Sequence, residues 1–241
     1  MAKAKRGLLL SLLTLLIAVA ITATSTYAWF VVNTEVTASN MQVEVKSDTT
    51  YLVISSSNTL GTDVALPLTA SNAKVLPVMY DQADSSEGIK WKTNIGTAYD
   101  DGTAKNGTYT AVASENLEKY YIKYTFYVGL TPTTAEAASN LRVKSMTVEK
   151  ATSEGNDKFL PAVSALVVCE GGQTLDYENI SGINEAGYTA KGALLPSLAV
   201  GTPVQIDVYV YINGDNEVVK SSNAANLGAF KLSMNLEVTP A

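Results

Sequence analysis

The 241-residue sequence predicts an all-β protein, an antiparallel jelly-roll-like β-sandwich preceded by an N-terminal apolar signal or transmembrane helix. Three observations carry that expectation. Long segments alternate apolar and polar residues at period two, the signature of half-buried strands. The composition is rich in Thr, Ser, Val and Tyr, with 46% hydrophobic and only 17% charged residues. Clusters of Gly, Asn, Asp and Ser punctuate the alternating runs as turns.

The N-terminal element comes first. Lys3, Lys5 and Arg6 make a basic start, and Leu8 to Ala23 follow without a charge. As a helix this run is roughly 24 Å long, short of the roughly 30 Å hydrocarbon core of a bilayer. That favours a signal peptide over a permanent anchor. Thr22 to Ala28 reads as its small-residue end, with Ala28 and Trp29 flanking the expected cleavage site, so residues 1–28 are the signal peptide and 29–241 a single β-sandwich domain. Retention is the alternative, because Trp29, Phe30, Val31 and Val32 could prolong the apolar run and no Lys or Arg stops it before Lys46. No cysteine directly follows the run to take a lipid, and Asn235 to Ala241 carry no hydrophobic tail.

From Met41 the alternation begins, with Met41, Val43 and Val45 on one face. Tyr51 to Ile54 forms a second strand, and Val75 to Tyr80 an edge or bulged strand because Pro77 cannot donate to a ladder. Residues 81–107 read as a long loop interrupted by Ile89 to Lys92 and closed by a turn at Asn106-Gly107. Lys119 to Val128 is the clearest strand: Tyr120, Ile122, Tyr124, Phe126 and Val128 point inward, and Tyr121 and Tyr127 outward. Thr133 to Asn140 has the one good helix signal beyond the leader. Leu141 and Val143 share a phase that Met146 and Val148 do not, which predicts a β-bulge near Ser145. Pro161 to Cys169 is a continuous apolar run, expected as a strand covered on both sides. Residues 171–201 read as a second long loop. Val204 to Ile212 and Phe230 to Val238 alternate again, separated by a turn at Asn213-Gly214-Asp215-Asn216.

Composition excludes several kinds of chemistry. Histidine is absent, so no Ser-His-Asp triad, Cys-His pair or His-ligated zinc protease can be built. Cys169 is the only cysteine, which rules out an intramolecular disulfide and reads as a buried small hydrophobe. A net charge of −6 and the lack of any Lys/Arg cluster after Arg6 point away from nucleic acid. Acidic groups at Asp81, Asp84 and Glu87, at Asp100-Asp101 and at Asp215 and Glu217 resemble solvated turns more than a calcium loop, since none fits the twelve-residue ligand pattern. No catalytic residue, metal ligand or cofactor is expected. Outward Tyr121, Tyr127, Tyr209 and Tyr211 either line a carbohydrate or protein contact or simply cover a sheet face as cross-strand pairs.

Thr26-Tyr27-Ala28-Trp29-Phe30, closing the Leu-rich leader, followed by Asn33-Thr34-Glu35-Val36-Thr37-Ala38-Ser39-Asn40-Met41, resembles the start of the camelysin and TasA family of Gram-positive surface and biofilm-fibre proteins. The resemblance covers roughly residues 3 to 46, with a looser likeness in the two C-terminal strands. Val31-Val32 departs from it, standing where a polar pair commonly follows the aromatics. It implies a dedicated signal peptidase, a jelly-roll mature domain and fibre formation. The expected function is a secreted, non-enzymatic fibre subunit, a head-to-tail homopolymer whose N-terminal arm adds as a strand to the next copy, touching the membrane only during export. Trp29, Phe30, Val32 and Val36 are its expected anchors. The alternative is a membrane-retained surface module that contacts glycan or protein through loops 81–107 and 171–201.

Overall fold

The structure, a computed structural model, describes residues 42–47, 52–63, 65–68, 75–82, 88–93, 109–131, 137–150, 157–219 and 230–240. Within them the chain forms β1 (Gln42–Ser47), β2 (Leu52–Ser55), β3 (Ala65–Pro67), β4 (Met79–Tyr80), β5 (Trp91–Thr93), β6 (Thr110–Ala111), β7 (Tyr121–Leu130), β8 (Ala138–Lys150), β9 (Val163–Cys169), β10 (Thr174–Tyr177), β11 (Leu195–Leu198), β12 (Val204–Ile212) and β13 (Phe230–Pro240). One α-helix, α1 (Glu185–Lys191), and short 3-10 turns at Ser114–Lys119, Asp157–Ala162 and Ile180–Gly182 complete the described elements.

The protein is all-β. Two five-stranded sheets, in the orders β11-β8-β13-β1-β3 and β10-β9-β12-β7-β2, pack their apolar faces into one core. Alternation explains which side chains go there. Ile206, Val208, Val210 and Ile212 of β12 are fully buried, as are Ile122, Tyr124, Phe126 and Val128 of β7 to within a few per cent. From the opposite sheet, Phe230, Leu232, Met234, Leu236 and Val238 of β13 meet them, with Val45 of β1 beside them. Tyr120, expected as a fifth inward residue of β7, instead ends the preceding 3-10 turn and packs against a different cluster on the outside of the sheet.

The predicted phase shift in β8 is present. Asn235 of β13 pairs with Ser145, but Leu236 pairs with Val143, so Lys144 is the extra residue of a bulge. This extra residue lets Leu141 and Val143 on one side and Met146 on the other all face the core. The edge position inferred from Pro77 also agrees with the structure: β4 is the outer strand of a small third sheet, ordered β4-β5-β6.

Three expectations need correction. Residues 132–136 lie outside the described ones, but Ala138 to Asn140 begin β8 and do not extend a helix; Ala138 pairs with Leu198, and Asn140 has a left-handed φ of 54° that no helix interior accommodates. Residues 171–201 are not a loop: β10, the Ile180–Gly182 turn, α1 and β11 occupy them, carrying the chain from the edge of one sheet to the edge of the other. Within 81–107, the expected interruption at Ile89 to Lys92 agrees with the structure, where Lys90 and β5 join the third sheet; 83–87 and 94–108, including the expected Asn106-Gly107 turn, lie outside the described residues. Pairing between the described strands is antiparallel except between β1 and β13, which run parallel from Gln42↔Lys231 to Ser47↔Leu236; the isolated bridges Val78↔Asn213 and Leu130↔Val200 are parallel too. Strands β1 and β13 come from opposite ends of the described chain, so no tight turn constrains their relative direction.

α1 is short and is held by its ends. Asn184 caps it, its side chain accepting from the Gly187 amide at 2.9 Å, and Tyr188 turns inward to donate from its hydroxyl to the Met146 carbonyl at 3.2 Å. Tyr188 stacks on Tyr177 of β10 with ring centroids 5.6 Å apart, so two aromatic rings fill the space where the chain crosses between sheets.

Candidate functional site

The residues expected to serve cleavage and assembly, Ala28, Trp29, Phe30, Val32 and Val36, lie outside the described residues. What the structure does place is the end of that arm. β1 is paired on both sides within its own chain, with β13 and with β3 (Val45↔Leu66), and the Val45 side chain is fully buried. Because the pairing with β13 is parallel, Gln42 lies opposite Lys231, at the start of β13. At the other end, Glu237 to Pro240 pair with β8 but have no described strand on their β1 side.

The densest constellation of functional side chains is the outer face of the β10-β9-β12-β7-β2 sheet. Period two puts Gln205, Asp207, Tyr209 and Tyr211 of β12 on that face, and Tyr121, Lys123, Thr125 and Tyr127 of β7 beside them. The strands are neighbours, in register Tyr211↔Tyr121, Tyr209↔Lys123, Asp207↔Thr125 and Gln205↔Tyr127. Both readings of these tyrosines meet here, each over half of the face.

At one half the third sheet lies over the face and delivers Trp91. Its ring centroid is 5.0 Å from that of Tyr211, 5.2 Å from Tyr121 and 6.3 Å from Tyr209, and Tyr80 meets it edge-on at 5.9 Å. Trp91 is 2% exposed, Tyr211 1% and Tyr209 9%. The third sheet is tied down by its backbone: the Val78 amide donates to the Ile212 carbonyl at 2.9 Å, and the Gly214 amide to the Val78 carbonyl at 3.1 Å. A Lys92–Asp81 ion pair at 2.6 Å joins β5 to the residue just after β4.

The other half is open and polar. The Asp207 carboxylate accepts from Thr125 Oγ1 at 2.6 Å and Gln205 Nε2 at 3.2 Å, and pairs with Lys123 Nζ at 2.9 Å. Tyr127 Oη donates to Gln205 Oε1 at 3.3 Å. Lys123 Nζ also sits 5.4 Å from the Tyr209 ring centroid, a cation–π contact. Its ammonium is held above the usual lysine range, chiefly by the hydrogen bond to Asp207. The result is a fixed row of hydroxyl, amide, carboxylate and ammonium between the Trp91 tyrosine cluster and Tyr127.

A half-buried acid lies at the edge of the same face. Asp176 of β10 accepts from Tyr211 Oη at 2.8 Å. Burial pushes its carboxyl up to about 7, against the lowering effect of the Tyr211 hydrogen bond. Burial and the neighbouring Asp176 raise the Tyr211 phenol well above its ordinary value. Neither residue stands out in the sequence as a pair, because 35 positions separate them; the only available signal was the alternation Thr174-Leu175-Asp176-Tyr177, hidden in a stretch read as loop.

Cys169 is 4% exposed and its thiol is pushed up to about 11, first by burial and then by Glu170, which suits a core residue and not a nucleophile. Among the described residues no three of Cys, Asp and Glu converge as a metal site. Asp215 instead accepts from Tyr109 Oη at 2.7 Å, while Asp84, Glu87, Asp100 and Asp101 lie outside the described residues. Nor is any helix among the described residues long and apolar enough to cross a membrane. Comparison with family models, curated proteins and solved structures found no match.

Proposed function

We propose that the chain is a secreted, non-enzymatic structural protein, a subunit of surface or matrix fibres that joins copies head to tail through its N-terminal arm. The observation that carries this reading is the setting of β1. It is a parallel strand accommodated inside an otherwise antiparallel sheet, and in sequence it follows directly on the arm. In another copy the arm would add as a strand in the same manner, with alternate side chains such as Trp29, Phe30, Val32 and Val36 seeking apolar positions. A contact of this kind does not close and so propagates. The two facing five-stranded sheets favour a jelly-roll sandwich in the same reading, and the likeness of the leader junction to camelysin and TasA proteins supports a secreted, Gram-positive setting. Electron microscopy of the mature protein is expected to show filaments, and deletion of Trp29 to Val36 to leave monomers; monomers from both would overturn the proposal.

A second reading, display of a surface-retained binding module, draws on one observation, the interlocked Lys123, Thr125, Gln205 and Asp207 row beside the half-buried Tyr127. Uncharged polar ligands such as glycans suit a row whose own charges cancel. N-terminal mass spectrometry separates the two readings: an intact Leu8 to Ala23 segment on cell-associated protein favours the second.

A further inference from the structure

We infer that Asn213-Gly214 is a self-modification site that the third sheet holds silent, and that its conversion makes release of that sheet permanent. An asparagine followed by a glycine carries its own reaction. The Gly214 nitrogen attacks the side-chain carbonyl carbon of Asn213; the nitrogen gives up its proton, the side-chain amide departs as ammonia, and a cyclic succinimide closes. Water then adds to either ring carbonyl and leaves an aspartyl or an isoaspartyl residue at position 213. Glycine is the residue that hinders the attack least, because it has no Cβ.

In the folded chain the groups this reaction needs are engaged. The Gly214 amide donates to the Val78 carbonyl at 3.1 Å, so the attacking nitrogen is held in a backbone hydrogen bond. Asn213 is 3% exposed, and its Nδ2 donates to Asn179 Oδ1 at 3.5 Å. Its own amide donates to the Ala162 carbonyl at 2.8 Å. One contact acts in the opposite sense. The Asp215 amide donates to Asn213 Oδ1 at 3.0 Å and polarises that carbonyl toward attack. The decisive restraint is therefore the bond to Val78.

Val78 leads into β4 and meets the end of β12 in a single parallel bridge, Val78↔Asn213, with its amide donating to the Ile212 carbonyl at 2.9 Å. Beside it, Thr93 Oγ1 of β5 donates to the Pro77 carbonyl at 3.1 Å. β12, by contrast, is paired along its length with both β7 and β9. Opening one bridge breaks far fewer bonds than opening β12, so the Gly214 amide comes free with the third sheet while the sandwich stays closed. Both products oppose redocking. The aspartyl form places a carboxylate where a buried neutral amide stood, and the isoaspartyl form lengthens the backbone by a methylene at the bridge itself.

Peptide mapping by mass spectrometry on the full chain at about pH 8, with amide exchange followed by NMR, tests this; mapping separates position 213 from Asn106-Gly107, which carries the same dipeptide. Conversion at position 213 is expected to be at least about tenfold slower in the folded chain than in urea-unfolded chain, and the slowing to match the protection of the Gly214 amide, not that of the Val208 amide within β12. Trp91→Ala and Thr93→Val loosen the third sheet and are expected to speed conversion and Gly214 exchange together, with Val208 still protected. Asn213→Asp reproduces one product and is expected to deprotect the Val78 and Val112 amides while Val208 stays protected. Folded chain converting at the unfolded rate, conversion that follows the Val208 amide across a urea series of the wild type, or an Asn213→Asp chain with Val78 still protected would each overturn the inference. The urea series decides even where a variant does not fold.

Discussion

Trp91 reaches four tyrosine rings from a strand of only three residues, and its burial under the third sheet explains why Tyr209 and Tyr211 are buried although they point away from the sandwich core. Truncation to alanine is expected to cost about 3–5 kcal/mol, the range for removing a buried large aromatic. Urea denaturation of Trp91→Ala checks the size, and loss of near-ultraviolet aromatic circular dichroism locates it in the tyrosine cluster. Cys169 carries a second residue-scale prediction. With the thiol buried and pushed up to about 11, a disulfide reagent at pH 8 is expected to label it only after unfolding. Labelling of the folded protein at the rate of an unfolded control would contradict the burial. The inert role of Cys169 was legible from its apolar surroundings. The role of Trp91 was not, because the sequence shows that it is flanked by lysines and says nothing about which tyrosines come to lie beneath it.

At the scale of elements, the bulge in β8 was written in the chain itself. Two apolar pairs one residue out of phase cannot share a face of a regular strand, so the extra residue at Lys144 follows from Leu141, Val143, Met146 and Val148 alone. Deleting Lys144 removes the extra residue and leaves Leu141, Val143, Met146 and Val148 at period two on the core face, in register with β13, so the deletion is expected to keep cooperative folding, as is Lys144→Ala; deleting Ser145 as well turns Met146 and Val148 to the outer face and is expected to prevent it, as a thermal melt of each will show. β10, α1 and β11 were not legible, since each is too short for its pattern to stand out from a Gly- and Asn-containing stretch. The junction between β9 and β10 depends instead on close approach. A Cβ at Gly172 would lie 2.2 Å from the Leu194 carbonyl oxygen, so Gly172→Ala must push backbone against backbone. The expected cost is about 1–3 kcal/mol by the measure of other overpacked sites, read from the urea midpoint.

For the whole molecule, the sequence conveyed the fold class, because period two over β7, β12 and β13 is a local property. It conveyed little about which strands are neighbours. The outward tyrosines were visible as a pattern, but their division into a capped half and an open half depends on where β4, β5 and β6 dock. The partnership of β1 with β13 is the extreme case, since it joins the first described strand to the last. That partnership also bears on kinetics. Closing a loop that long costs entropy before any contact repays it, and sheets built from such distant pairings form in milliseconds to seconds, far slower than local hairpins. During synthesis, β1 has to wait for nearly all of the remaining chain to arrive before its place beside β13 exists. Until then the sheet lacks its central pair, and the strands on either side of it have no common partner.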